Sequence, residues 1–244
     1  MLTLVLAGTA TALVTGLGAI PVFFLGQRAE GLRPLLWGLA AGVMAVASVL
    51  GLLIPALDEG SLASVGAGLG AGVLFLAASR IAVGHRNPRI HGHAGAGVRV
   101  SVLVFAVLLV HSIPEGLAIG TAYASETAGL GLFVIVAIAV QNIPEGTSVA
   151  IPMASSGFSR GEQFWAAVAT SAPQPIAAVG AYLLVEEIDA LLPFSFAFAA
   201  GAMLALVVAE LLPGAYRGEG WLPASAGVTA GAGVMIALSA ALGV

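Results

Sequence analysis

The sequence predicts an all-α integral membrane protein of eight transmembrane helices, and three observations carry that reading. Of 244 residues, 59% are hydrophobic and only 8% charged, whereas a soluble domain carries about a quarter charged residues. A bilayer span takes roughly 20 apolar residues, and the chain offers eight such runs between turn-forming breakers. The basic residues, every one an arginine, fall on alternate connections. The mean hydropathy of +1.07 also excludes disorder, which needs low hydrophobicity and high charge. With no cysteine, disulfides, thiolate metal sites and cysteine nucleophiles are excluded. No basic patch exists on which nucleic acid would bind.

The spans read as 4–25, 35–56, 63–83, 100–121, 130–154, 162–185, 194–215 and 224–243, and together they make residues 1–244 a single transmembrane domain. The first has no positively charged segment before it, so it reads as a permanent helix rather than a cleaved leader. The second follows a polar stretch holding Arg28 and Arg33. The third carries the run Gly66-Ala67-Gly68-Leu69-Gly70-Ala71-Gly72, which suits close helix packing in lipid. It is no phosphate loop, because no strand precedes it and no Gly-Lys-Ser/Thr follows. The fourth and fifth each contain a Pro-Glu-Gly phrase, and the sixth contains Ser171-Ala172-Pro173-Gln174-Pro175. Two prolines around a polar residue predict a broken helix there. The seventh ends Ala209-Glu210-Leu211-Leu212-Pro213, and the eighth is uniformly apolar and small.

Charge placement sets the orientation. Arg28 and Arg33 lie in the first connection, Arg80, Arg86, Arg89 and Arg99 in or beside the third, Arg160 in the fifth and Arg217 in the seventh. The even connections hold Asp58, Glu59, Glu126, Glu186, Glu187 and Asp189. By the positive-inside rule the odd connections are cytoplasmic and both termini lie outside.

Four ionisable residues sit where lipid should exclude them: His111, Glu115, Glu145 and Glu210. Each costs at least about 2.5–3.5 kcal/mol at mid-membrane, so each is a functional candidate. Three of the four fall in a repeated phrase. His111-Ser112-Ile113-Pro114-Glu115-Gly116 in the fourth span is answered by Gln141-Asn142-Ile143-Pro144-Glu145-Gly146 in the fifth. The spans run in opposite directions, so the phrases oppose each other near the midplane, as transporters arrange their sites. His111 and Glu115, like Gln141 and Glu145, are four apart and share a helix face. Each proline removes a donor and clashes four residues back, which predicts a kink and freed carbonyls. One imidazole, two carboxylates and an amide oxygen suit a divalent transition metal of intermediate softness, such as zinc, iron, manganese, cobalt or cadmium. Two carboxylates neutralise a dication and so lower the penalty of carrying it through lipid.

The paired phrases resemble the ZIP (Zrt-, Irt-like) divalent metal transporter family, within it the bacterial GufA-like branch, over essentially the whole chain. The resemblance implies helices arranged as three, two and three with inverted pseudo-symmetry, a metal path between the fourth and fifth, and uptake toward the cytoplasm across the inner membrane. It places His111, Glu115, Gln141 and Glu145 at the primary metal position. It places Ser112, Asn142 and Gln174 at a second position, where many relatives hold a further metal bridged by the glutamates. Those three side chains are uncharged, so two dications would face only −2; the expectation is one ion, with the three acting as its hydrogen-bonded surround. Gln174 stands where relatives often have glutamate. Glu210 is expected near the cytoplasmic end, to receive a departing metal or to pair with a neighbouring helix. His85, His91 and His93 form a short cytoplasmic loop that captures metal or is simply solvated.

The chain is expected to be no enzyme and to hold no resident cofactor, the metal being cargo. Its partners are the bilayer, divalent metal ions and a second copy of the chain as a homodimer. The alternative is a proton-coupled carrier of a small organic solute using Glu115 and Glu145 as proton sites. An intramembrane metalloenzyme is disfavoured, since the chain lacks His-Glu-x-x-His and offers one histidine in the membrane.

Overall fold

Eight helices long and apolar enough to cross a membrane account for most of the chain: α1 (Leu2–Leu25), α2 (Arg28–Glu59), α3 (Leu62–Ala82), α4 (Ser101–Ala124), α5 (Leu130–Ser155), α6 (Arg160–Glu187), α7 (Asp189–Ala215) and α8 (Trp221–Leu242). The computed structural model describes residues 1–84, 96–125, 127–217 and 220–244. His85, His91 and His93, with Arg86, Arg89, Glu126 and Glu219, lie outside the described residues. The expected spans lie within three residues of these helices at every end except the start of α7, which comes five residues earlier, and the start of α2. There the 3-10 stretch Gly26–Leu32 runs directly into Arg33–Ser48, so α2 reaches 32 residues against 21 in α3.

The helices are interrupted at places that proline chemistry explains. In α6, Arg160–Thr170 stops at a turn over Ser171 and Ala172 before Pro173–Glu187 resumes, as the flanking prolines require. In α1 a similar turn at Gly18 separates Leu2–Leu17 from Ile20–Leu25, which begins Ile20-Pro21. α2 and α7 each widen into a π-turn, Val49–Leu53 and Val207–Leu211. Each π-turn is followed by a hydrophobic-Pro pair, Ile54-Pro55 and Leu212-Pro213. The wider turn absorbs the ring's clash with the carbonyl four residues back.

The kinks expected at Pro114 and Pro144 do not break their helices. Ala96–Ala124 and Leu130–Ser155 stay helical through both prolines. Of the hydroxyls beside them, Ser148 Oγ donates to Pro144 O at 3.0 Å, while Ser112 and Thr147 have their shorter acceptors outside their own helices, Thr170 O and Gly18 O, each at 2.7 Å. The carbonyls that lose a donor to the two prolines are a different pair, those of Val110 and Val140.

Glycine sets how closely the helices approach. α2 packs on α8, α3 on α7, α4 on α6 and α1 on α5. A methyl on Gly38 or Gly42 of α2 would strike carbonyls of Ala224 and Val228 on α8, and one on Gly227 or Gly231 would strike Leu35 and Leu39 in return. Gly72 and Gly201 do the same between α3 and α7, and Gly116 and Gly120 between α4 and α6. Small residues that bring backbones together are the usual glue where lipid removes the hydrophobic drive. A buried core including Met44, Leu52, Ile119, Phe133, Ile138 and Phe196 fills the centre. Phe24, Leu62, Leu74 and Ile176 are largely exposed, which suits a lipid-facing surface. Trp165 and Trp221, also exposed, lie at the starts of α6 and α8, where aromatic side chains suit the interface.

Candidate metal centre

The antiparallel helices α4 and α5 bring the two Pro-Glu-Gly phrases together, and α1 and α6 close around them. Gly146 lies against the Thr15 carbonyl of α1 with no room for a Cβ, and Gly116 lies likewise against the Gln174 carbonyl of α6. His111, Glu115, Gln141 and Glu145 are all buried, as are Ser112, Asn142 and Gln174. Gln141 Nε2 donates to Glu115 Oε1 at 2.8 Å. Gln174 Nε2 donates to Glu115 Oε2 at 2.6 Å. Three buried polar atoms here have no hydrogen-bond partner: His111 Nδ1, Gln141 Oε1 and Glu145 Oε1. A buried polar atom without a partner costs about 1–3 kcal/mol, so three together at one place suit a ligand.

Among the described residues, no three His, Asp or Glu side chains are gathered tightly enough to hold a metal as they stand. Both oxygens of Glu115 are taken by amide donors. An amide carries a donor at one end and an acceptor at the other. Turning the Gln141 amide over would withdraw the donor and present the oxygen.

Gln174 is fixed at both ends. Its Oε1 accepts from Thr11 Oγ1 at 2.9 Å and from Asn142 Nδ2 at 3.3 Å. Asn142 Nδ2 also donates to the Thr11 carbonyl at 2.9 Å. Ser112 is turned away from the carboxylates: its hydroxyl donates to Thr170 O on α6 at 2.7 Å. Thr15 and Ser171 share a hydrogen bond of 2.7 Å nearby. These contacts from α1 were not anticipated. Their signal was present in the sequence, since Thr11 and Thr15 are two hydroxyls four apart, on one face of an apolar span.

A cavity of about 440 Å³ reaches the centre from one side. At one end lie Glu30 and Arg33, with Leu103 and Ser155; at the other lie His111 and Glu145. All four outer residues belong to the ends of helices that carry the arginine-bearing connections. On the opposite side Ile119, Leu130, Phe133 and Ile138 are fully buried and fill the space between α4 and α5. Trp37 Nε1 donates to Ser148 Oγ at 2.6 Å, linking α2 to α5 at the wall, and the Arg33 guanidinium stacks 4.4 Å from the Trp37 ring centroid.

Glu210 lines the same cavity. It stands on the π-turn of α7, with Oε1 3.0 Å from Arg80 Nε and 3.8 Å from His111 Nε2. Glu210 thus lines the cavity and contacts Arg80 of α3 at the same time. The three loop histidines cannot be placed against this cavity, since they fall outside the described residues.

Comparison with known proteins agrees with this architecture. Residues 83–239 match the ZIP zinc transporter family. The chain is 34% identical over 252 residues to the zinc transporter GufA of Myxococcus xanthus, covering 98% of this chain and 96% of GufA. It is 33% identical over 253 residues to the zinc transporter ZIPB of Bordetella bronchiseptica, covering 98% of this chain and 81% of ZIPB. A longer Arabidopsis thaliana relative is 36% identical over 219 residues, which cover 88% of this chain and only 35% of that protein. The match over most of the chain, and near end to end with GufA, places this eight-helix protein in the ZIP zinc transporter family.

Proposed function

We propose that this protein carries a divalent transition metal, zinc foremost, across the cytoplasmic membrane through His111, Glu115, Gln141 and Glu145 between α4 and α5. The observation that carries the reading is that His111 and Glu145 line the inner end of a cavity, with buried Glu115 behind them accepting a hydrogen bond from Gln141. Without metal, Gln141 and Gln174 donate to Glu115 and offset the cost of its burial. A dication arriving beside Glu115 and Glu145 replaces those donors with charge and takes Gln141 Oε1, Glu145 Oε1 and the imidazole as ligands. One ion is carried at a time. Ser112, Asn142 and Gln174 add no negative charge, and they orient the carboxylates as a hydrogen-bonded surround.

The arginine-bearing connections are cytoplasmic by the positive-inside rule and both termini lie outside. The cavity then faces the cytoplasm, in a state suited to release. The helices are arranged as three, two and three with an inverted relation between the outer triplets. The π-turns of α2 and α7, each before a hydrophobic-Pro pair, support that relation. The protein works in the inner membrane, as a homodimer, and performs no chemical reaction on its cargo. The organic-solute alternative is not favoured by any contact at the centre.

Uptake of zinc, cadmium, manganese and iron into proteoliposomes, with and without a pH gradient, tests the reading. Metal accumulation should occur and should vanish in Glu115→Ala and Glu145→Ala, because a single carboxylate leaves the dication uncompensated in a medium of low dielectric. His111→Ala should weaken binding and shift preference toward harder metals. Wild-type uptake by Glu145→Ala would overturn the site.

A further inference from the structure

Arg80 of α3 contacts Glu210, a carboxylate that lines the cavity, and the contact has an unusual form. Its Nε lies 3.0 Å from Glu210 Oε1, yet that oxygen receives no aligned hydrogen bond. An arginine built as a permanent bridge presents two parallel N–H groups to both carboxylate oxygens. Here one point of the guanidinium approaches one oxygen, and the Arg80 side chain is 47% exposed while Glu210 is only 20% exposed. The carboxylate is thus sheltered within the cavity and the cation rests at its edge. The second neighbour of that oxygen is His111 Nε2 at 3.8 Å, on the far wall.

We propose that Arg80 is a tethered counter-cation that occupies Glu210 when no metal does, so that an outgoing ion crosses this point by exchange with a guanidinium. The inference rests on the metal-transport reading above and adds a residue that the paired phrases do not mark. A carboxylate in a cavity walled by Leu108, Leu206 and Leu211 needs a partner, because an unpaired charge in such surroundings is costly. A dication has the same claim on it as Arg80. When the metal arrives, the guanidinium is displaced toward the mouth but stays attached to α3, close to the ion. The two cations then repel each other, which lowers the affinity of Glu210 for the metal and favours departure. Both residues are carried by α3 and α7, whose backbones are held together through Gly72 and Gly201. The reach of Arg80 to Glu210 is therefore fixed whatever α4 and α5 do. Arginine suits the task because its charge persists at any physiological pH.

Cadmium binding to the purified full chain and uptake into proteoliposomes, compared among wild type, R80Q, R80K, E210Q and R80Q/E210Q, test the proposal. R80Q should bind one additional cadmium about tenfold more tightly than wild type binds any ion at that position. Its uptake should show KM and kcat falling together by about tenfold, since release becomes limiting. R80K should return both to within about threefold of wild type, and R80Q/E210Q should lose the additional ion. R80Q with wild-type binding and wild-type KM would overturn the proposal, as would an R80Q effect that survives in the double variant. Failure of R80Q to fold would overturn it too, because a pair on which the fold depends is not one that exchanges with each passing ion. If wild type binds no cadmium at all, the transport reading falls first; if it binds at Glu115 and Glu145 and R80Q is silent, only the role of Arg80 falls.

Discussion

Gln174 donates to Glu115 Oε2 at 2.6 Å, while the other end of its amide accepts from Thr11 and Asn142. A neutral donor therefore fills the position beside Glu115 that a second cation would need. Replacing Gln174 by Glu removes the donor and adds a negative charge within the same reach. Gln174→Glu should move the metal stoichiometry of purified protein from one toward two, with tighter retention and uptake slowed severalfold. Elemental analysis with anomalous scattering at the centre measures this. Two fully occupied ions in the wild type would refute the charge argument.

Thr11 holds Gln174 from behind, so its hydroxyl should matter without touching metal. Thr11→Val removes one neutral hydrogen bond, worth about 0.5–1.5 kcal/mol, and leaves Gln174 Oε1 with a single partner. Metal affinity should fall severalfold and the thermal midpoint by a few degrees. Thr9→Val is the control: its hydroxyl is exposed and bonds only Val5 O of its own helix, so it should change neither quantity.

The glycine contacts predict a contrast within one residue type. Gly146→Ala drives a methyl into the Thr15 carbonyl and forces α1 and α5 apart, an overpacking cost of at least about 1–3 kcal/mol. Loss of folded protein or of uptake is expected. Gly70→Ala meets open space and removes a poor helix former, which should stabilise α3 by up to about 1 kcal/mol. Thermal unfolding in detergent separates the two, and equal effects would show that close approach is not what selects glycine at Gly146.

Because the chain has no cysteine, single introduced thiols report sidedness cleanly. Cysteines at Ser61 and Ser125 should label with an impermeant reagent from outside intact cells. A cysteine at Ser155, or one at Val104 on the cavity wall, should label only from the cytoplasmic side. Metal should slow modification at Val104, whose side chain lines the route to His111. Reversed labelling would invert the orientation.

Much of this architecture was legible because lipid enforces simple rules. A helix in a bilayer must be long and apolar, so composition and breakers were enough to locate eight spans. Buried charge is expensive there, so His111, Glu115, Glu145 and Glu210 stood out against their surroundings. The break at Ser171 and Ala172 followed from two nearby prolines. What escaped were features that depend on a partner helix. Pro114 and Pro144 were expected to kink their helices and free carbonyls, and both helices run on through them. The π-turns before Pro55 and Pro213 needed the neighbouring helices to show that the extra width was tolerated. Thr11 looked like an ordinary small residue until α6 was packed against it. The approach of Arg80 to Glu210 spans 130 residues of sequence, a distance over which no local pattern speaks.

The 32 residues of α2 make a helix about 48 Å long at 1.5 Å per residue, against a hydrocarbon layer of about 30 Å. Tilt absorbs part of the excess, and the rest stands among the phosphates and carbonyls of the headgroups. Its first turns hold Glu30, Arg33 and Trp37, which form the lip of the cavity. On the proposed route, the rim of the cavity is therefore set partly by lipid. Arg33 Nη1 donates to Glu30 Oε1 at 2.7 Å, and in a thinner bilayer, or one rich in anionic headgroups, Arg33 would meet different neighbours and release Glu30 to a different degree. Membrane composition thus becomes a variable of the transport rate, acting on the doorway and leaving the ion's ligands untouched.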